Sequence, residues 1–332
     1  MSGAAVREAS REVEIIRLLK GAGAGYTSGQ LLSGALGISR AAVWKHVETL
    51  RRAGFSIEAS PSKGYRLGGP PPYNAIEVAS ALSTEFVGTR LLFFESIDST
   101  NRRAFELGRA GEPEGTAVIA DGQTDGKGRM GRRWASPPGV NVYTSVLLRP
   151  DIPPRRAGEL TFVAAVAVAE AVGGFSPTRP VVKWPNDILI GGRKVAGILL
   201  EMDSEPDHVH FVVIGVGINV NVRAGDLPAG VSPGATSLVD ERGAEVSRCE
   251  LVRELYSRLE RWYKAYIKEG FEPVARAWRG YFRSEGSPVR VEVFGRSIEG
   301  ICLGIDAGGA LLVKTPAGEV ERVVSGDVSP QV

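Results

Sequence analysis

Cysteine is nearly missing from this chain: two residues, Cys249 and Cys302, in 332. Two thiols cannot build a disulfide framework, so the fold has to rest on its apolar core, and a reduced, cytoplasmic setting is expected. Histidine is equally scarce, with three residues of which only His208 and His210 lie close together, which argues against a zinc site built from protein ligands. The first residues lack a basic-then-apolar pattern, so no signal peptide is expected. The longest apolar stretch, residues 162–174, is broken by Glu170 and is too short for a bilayer, so no membrane partner is expected. Net charge is also small: 40 Lys and Arg against 38 Asp and Glu leave +2, which excludes a polybasic coat. With 43% hydrophobic and 23% charged residues, wholesale disorder is excluded as well, and the length suffices for two or three domains.

The balanced total hides a divided molecule. Residues 1–70 hold 10 Lys and Arg against 5 Asp and Glu, a net of +5, while the other 262 residues hold 30 against 33, a net of −3. Within this basic fifth, apolar residues at helical spacing predict a helix over residues 11–20. Ser28 can cap a second helix, Gly37 can make a turn, and Ser39 can cap a third over residues 40–53. Val43, Val47 and Leu50 fall on one side of that third helix. Residues 55–67 then read as a hairpin with a basic tip, the shape of a wing. A winged helix-turn-helix is expected over residues 1–68, with Ser39 and Arg40 placed for base contacts and Lys45, Arg51, Lys63 and Arg66 for phosphates. Trp44 is equally suited to packing against the wing. The bland alternative is a three-helix domain that docks on protein. The run Gly68-Gly-Pro-Pro-Pro72 marks a domain boundary, and residues 69–75 read as a linker.

The middle of the chain, residues 76–283, alternates strand and helix signals. Its most informative stretch follows a strand at residues 116–120 and places Gly126, Gly128 and Gly131 among Lys127, Arg129, Arg132 and Arg133, ahead of Trp134. Glycines let backbone close around a ligand, and the cations offer donors to anionic oxygens. The run fits neither the dinucleotide fingerprint nor the P-loop. A solvated basic loop is the competing reading, and Trp134 argues against it by anchoring the loop. Further on, Lys183 lies on a strand that Pro185 stops, leaving Asn186 and Asp187 at its end. A Gly191-Gly192 turn precedes Lys194 and Gly197, and Gly215 and Gly217 leave room for something flat to pass close to a strand before Asn219.

Four runs, 126–134 (GKGRMGRRW), 183–187 (KWPND), 193–197 (RKVAG) and 215–219 (GVGIN), together resemble the biotin–protein ligases. The wing run 61–67 (PSKGYRL) after a helix-turn-helix resembles their bifunctional members, which also repress biotin-synthesis genes. The resemblance covers essentially the whole chain. It implies a central α+β domain with a mixed sheet, of the class II synthetase kind, and an SH3-like β-barrel over residues 284–332. It implies a two-step reaction: biotin attacks the α-phosphate of ATP to give biotinyl-5′-AMP, and a lysine of a biotin carboxyl carrier protein then takes the biotin. By the same resemblance Arg129 meets the carboxylate or acyl phosphate, Lys127 and Arg132 act on phosphates, and Lys194 lies beside the reacting carboxyl. Ser99, Thr100 and Gln123 match the positions for the biotin head, and Asn101, Gly126, Gly128, Trp134, Gly197, Gly215 and Gly217 complete its surroundings. Asn219 is the expected nucleotide contact.

Asp187, with Asn186, is expected either to help hold Mg²⁺ on ATP or to orient and deprotonate the incoming lysine. Lys183 either positions phosphate or is structural. Some relatives set a tryptophan against adenine after the last glycine run, and residues 223–237 contain none. Operator DNA and a ligand-promoted homodimer are the further partners implied, with biotinyl-5′-AMP as corepressor. Two other readings stay open: a ligase whose N-terminal domain does not regulate, and a transcription factor that senses biotin without ligating it.

Overall fold

The computed structural model describes all residues except 1–3, 8, 9, 228–233, 294, 331 and 332. After a short strand, β1 (Ala4–Arg7), come three helices, α1 (Arg11–Gly21), α2 (Gly29–Leu36) and α3 (Arg40–Arg52). Each is opened by a serine whose hydroxyl accepts a backbone N–H: Ser10 from Val13, Ser28 from Leu31 and Ser39 from Ala42. Gly37 turns the chain between α2 and α3 in the left-handed conformation, φ +62°. Ile15, Ile16, Leu19, Leu32, Val43, Val47 and Leu50 form the buried centre with Phe55 and Ile57. The wing is the hairpin β2 (Ile57–Ser60) and β3 (Gly64–Leu67). It is tied back by paired hydrogen bonds between Thr27 and Tyr65 at 2.8 and 2.9 Å. A side chain at Gly64 would come within 2.1 Å of the Thr27 carbonyl, so this position requires glycine.

The central unit follows as α4 (Ala75–Ala81), β4 (Arg90–Ile97), α5 (Thr100–Arg109), β5 (Ala117–Gln123), β6 (Val142–Leu148), α6 (Glu159–Gly173), β7 (Val181–Lys183), β8 (Asp187–Ile190), β9 (Arg193–Ser204), β10 (Val209–Ile218), α7 (Leu238–Arg242), α8 (Arg248–Glu269) and α9 (Glu272–Arg279). Its eight-stranded sheet runs β1-β4-β5-β6-β10-β9-β8-β7. Only β4 and β5 pair in parallel, so the sheet is mixed as expected. Helix α6, apolar nearly all round, is buried along almost its whole length with α8 against it. The other face carries α5, packed on Leu92, Phe94, Val118, Leu147, Phe211 and Val213. Among the described residues no helix is long and apolar enough to cross a membrane.

Five antiparallel strands close the chain: β11 (Pro288–Val293), β12 (Arg296–Ile305), β13 (Leu311–Lys314), β14 (Val320–Val323) and β15 (Asp327–Pro330), ordered β14-β13-β12-β11-β15. This small barrel packs on the central unit through the buried Trp184, whose indole N–H donates to the Gly309 carbonyl at 3.1 Å. Cys302 is buried in it as a small apolar group.

Two arrangements differ from the sequence reading. Residues 4–7, counted with the winged domain, pair with Arg90–Phe93 and so form an edge strand of the central sheet. The Pro-rich linker is docked rather than loose: Tyr73 packs edge-on to Phe93 at 5.5 Å, and the Arg248 guanidinium lies 3.9 Å from its ring centre. The winged domain is also held by charge. Lys20 meets Glu77 at 2.6 Å and Ser80 at 2.8 Å, while Arg17 donates to the Ala79, Ser80 and Leu82 carbonyls at the end of α4.

Candidate functional site

Side chains of β9 and β10 alternate between the two faces of the sheet. On β10 the residues facing α5 are Phe211, Val213, Gly215 and Gly217, so packing side chains give way to two glycines near the N-terminus of α5. Asn101 fills the first gap: a Cβ on Gly215 would fall 1.8 Å from its Oδ1. The Trp134 ring fills the second, 2.5 Å from where a Gly217 Cβ would lie and 2.9 Å from one on Gly197. Beyond them opens a cavity of about 120 Å³. Ser99, Thr100, Asn101, Gln123, Lys127, Gly128, Arg129, Arg132, Arg133, Trp134, Asn186, Asp187, Lys194, Gly197, Gly215 and Gly217 all line it. All four sequence runs therefore reach one place through Gly128–Trp134, Asp187, Lys194 and Gly215.

The polar end is wired in advance. Gln123 accepts from the Thr100 N–H at 2.9 Å and from its hydroxyl at 3.1 Å, and donates to Ser136 at 2.9 Å. Ser145 donates to Thr100 and Asn101, at 2.9 and 2.6 Å, and Asn101 donates to Glu201 at 2.9 Å. Ser145 and Glu201 were not picked out from the sequence. Their signal was a hydroxyl in the mostly apolar β6 and a carboxylate just after the apolar Ile198–Leu200 of β9. The Trp134 indole N–H is buried with no partner among the described residues, a donor left for a ligand beside the cavity.

The other end is cationic: Lys127, Arg129, Arg132, Arg133 and Lys194 line it, with Asp187 as the one carboxylate in the lining. Lys194 pairs with Asp187 at 2.7 Å and lies 5.2 Å from the Trp134 ring centre. Arg129 donates to Asn186 at 3.0 Å and to Ser325 at 3.1 Å, and burial holds its guanidinium below the ordinary arginine value. Arg132 donates to both carboxylate oxygens of Asp327 at 2.9 and 2.8 Å. The last turn of the barrel thus holds the basic loop, a contact no sequence feature announced. Met130 stands 58% exposed at the loop's tip with φ +55°.

Three expected residues lie apart from the cavity lining. Lys183 stands across the ladder from Asp187 without lining the cavity. Asn219 is buried and donates to the Thr236 carbonyl at 3.0 Å, so it anchors the segment after β10 instead of facing ligand. Gly126 lies against Ser136 and Gln123, where a Cβ would come within 2.6 and 3.0 Å of their side chains. The segment expected to meet adenine includes residues 228–233, which lie outside the described residues. No group of three or more His, Cys, Asp or Glu able to hold a metal occurs among the described residues. Asp187 and Asn186 suit a magnesium ion that arrives on phosphates and keeps most of its ligands from them.

On the winged domain, Arg40 and Lys45 are exposed on α3, and Lys63 is exposed at the wing tip. Ser39 is committed to capping α3. Arg51 is not displayed for phosphate: it donates to the Ile57 carbonyl at 3.0 and 2.7 Å and to Glu48 at 2.6 Å, tying wing to helix. Arg66 pairs with Glu58 at 2.6 Å, with its guanidinium 4.8 Å from the Tyr26 ring centre. Trp44 is 54% exposed.

Known proteins share this plan. Residues 93–219 match the model of the Biotin/lipoate A/B protein ligase family, residues 11–66 an HTH domain, and residues 286–329 the Biotin protein ligase C terminal domain. The chain is 41% identical to the Bifunctional ligase/repressor BirA of Bacillus subtilis over 95% of this chain and 97% of that one. The protein of the same description from Escherichia coli is 34% identical over 92% of each. Among solved structures, the biotin protein ligase from Aquifex aeolicus in complex with biotin and ATP aligns with a TM-score of 0.63 and 29% identity, covering 73% of this chain and 98% of that one.

Proposed function

The chain belongs to the biotin–protein ligases, in their two-function ligase and repressor branch, and from this premise we propose how its residues divide the work. It is a biotin–[biotin carboxyl carrier protein] ligase that forms biotinyl-5′-AMP from biotin and ATP and passes the biotin to a carrier lysine. It is also a repressor of biotin-synthesis genes. The observation that carries the reading is the cavity itself: a pre-wired polar end of neutral donors and acceptors runs into an end of five cations. That suits a neutral ureido head joined through a chain to a carboxylate that must meet a phosphate.

Thr100 and Gln123 take the biotin head, with Ser145 fixing the Thr100 hydroxyl. Arg129 and Lys194 hold the biotin carboxylate against the α-phosphate, offsetting the repulsion between two anions. As biotin oxygen bonds to phosphorus, pyrophosphate leaves toward Lys127 and Arg132. In the second step the carrier amine attacks the acyl carbon, AMP departs, and Asp187 receives or orients the amine proton. Asp187 and Asn186 would hold a Mg²⁺ brought on the ATP phosphates, which would supply charge neutralisation there. Lys183 and Asn219 position these groups. Ligation is assigned to residues 76–283, closure over the nucleotide to residues 284–332, and DNA binding to residues 10–68, all in the cytoplasm. Retained biotinyl-5′-AMP is the corepressor, favouring a homodimer that presents two copies of α3 to a pseudo-palindromic operator.

The test is mass spectrometry of the chain incubated with biotin, ATP and Mg²⁺, followed by a carrier domain. Release of pyrophosphate, a retained adenylate, and a carrier heavier by one amide-linked biotin are expected. No adenylate and no labelled carrier would end the reading.

A further inference from the structure

The repressor reading leaves one question: which side chain of α3 distinguishes one base sequence from another. Ser39 spends its hydroxyl on Ala42, Arg51 is bound to Ile57 and Glu48, and Arg66 is bound to Glu58. We propose that Trp44 reads sequence, its indole packing on the 5-methyl group of a thymine in the major groove. This rests on the repressor reading and adds to it the residue and the base.

Trp44 lies on α3 about a quarter of a turn from the side of Val43, Val47 and Leu50, which are fully buried, and faces solvent. Its neighbours on the exposed side are Arg40, Ala41 and Lys45, at one turn or one residue from it. Among the described residues Trp44 makes no ring contact, and Arg40, Lys45 and Arg52 have no ion pair. An indole kept 54% in water leaves about half of its apolar surface unused by the domain's own packing. The cations beside it match a polyanion, so the partner that fits is a duplex rather than a protein surface. In the major groove, the apolar group available to such a side chain is the thymine methyl.

The test uses the full chain loaded with biotin and ATP at one salt concentration. Duplexes are selected from a random pool, and each thymine of the winning half-site is replaced in turn by deoxyuridine, which lacks only the methyl. Wild type is expected to lose about five- to tenfold in affinity at one thymine per half-site. Trp44→Ala should bind the thymine duplex about that much more weakly and lose nothing further from deoxyuridine at that position. Trp44→Leu, which keeps an apolar side chain, should retain part of the response and serves if the alanine variant melts early. Full affinity in Trp44→Ala, or an equal deoxyuridine penalty in both proteins, overturns the assignment. If wild type selects no sequence at all, the repressor reading falls and this inference with it. If wild type and Trp44→Ala select equally well, the inference falls alone.

Discussion

Gly215 and Gly217 lie two residues apart on the same face of β10, yet adding one methyl group to each should have opposite consequences. At Gly215 the new Cβ meets Asn101 Oδ1 at 1.8 Å and Cγ at 2.7 Å. Asn101 is buried at the start of α5 and bonded to Ser145 at 2.6 Å and Glu201 at 2.9 Å, so it cannot retreat without breaking those bonds. Overpacking costs about 1–3 kcal/mol, and a buried polar partner left unmatched costs about as much again. Gly215→Ala should therefore destabilise the central domain by roughly 2–5 kcal/mol and lower Tm by about 5–15 °C. At Gly217 the Cβ meets the Trp134 ring at 2.5 Å, and an ordinary contact begins near 3.4 Å. The ring must move by about 1 Å, and it rides on the basic loop, which can follow at a cost under about 1 kcal/mol. That shift misplaces Arg129 and Arg132, and a misplacement of this size costs about 10²-fold in rate. Thermal melts of the two variants and biotin-dependent exchange of pyrophosphate into ATP provide the assay. A Gly217→Ala variant that melts below Gly215→Ala, or that exchanges pyrophosphate at the wild-type rate, would refute the assignment of Trp134 as the loop's footing.

Arg129→Ala should release biotinyl-5′-AMP early, seen as free adenylate in the filtrate of a spin column; adenylate retained as in wild type would remove Arg129 from the site. Lys45→Ala should weaken operator binding and flatten its salt dependence by about one phosphate contact while leaving ligation intact. Arg51→Ala should instead lower the melting of the winged domain, because it frees the Ile57 carbonyl and the wing. If the two variants behave alike, Arg51 is a phosphate contact after all. Lys20→Met strands Glu77, whose side chain is only 5% exposed, and should cost about 2–4 kcal/mol, less than a fully buried pair since Lys20 is a third exposed. Lys20→Met with Glu77→Leu should recover most of that loss, and no recovery would mean the pair is not what seats the domain.

Much of the architecture could be read from the chain because it is local. Serines before apolar-periodic stretches marked α2 and α3, valines alternating with charged residues from Val289 marked β11, and the paired runs around Gly126 and Lys183 marked the site before any contact was known. What escaped the reading was polar pairing that only the folded chain brings about. Arg51 looks like any cation on a recognition helix until Ile57 folds back beneath it, and Arg66 until Glu58 lies opposite it on the wing. Residues 4–7 carry too few side chains for a period, so only the open edge at β4 explains their strand. The hold of Ser325 and Asp327 on the basic loop joins residues nearly 200 positions apart, and nothing in either segment names the other. The glycines of β10 are the instructive middle case. Their sequence says that something passes close to the sheet, and this is so, but Asn101 and Trp134 of the same chain take the space first. Such glycines therefore mark where a pocket's walls are built, and the ligand has to be argued from what those walls then present: an unpartnered indole N–H, a fixed threonine hydroxyl and a lining with five cations and one carboxylate.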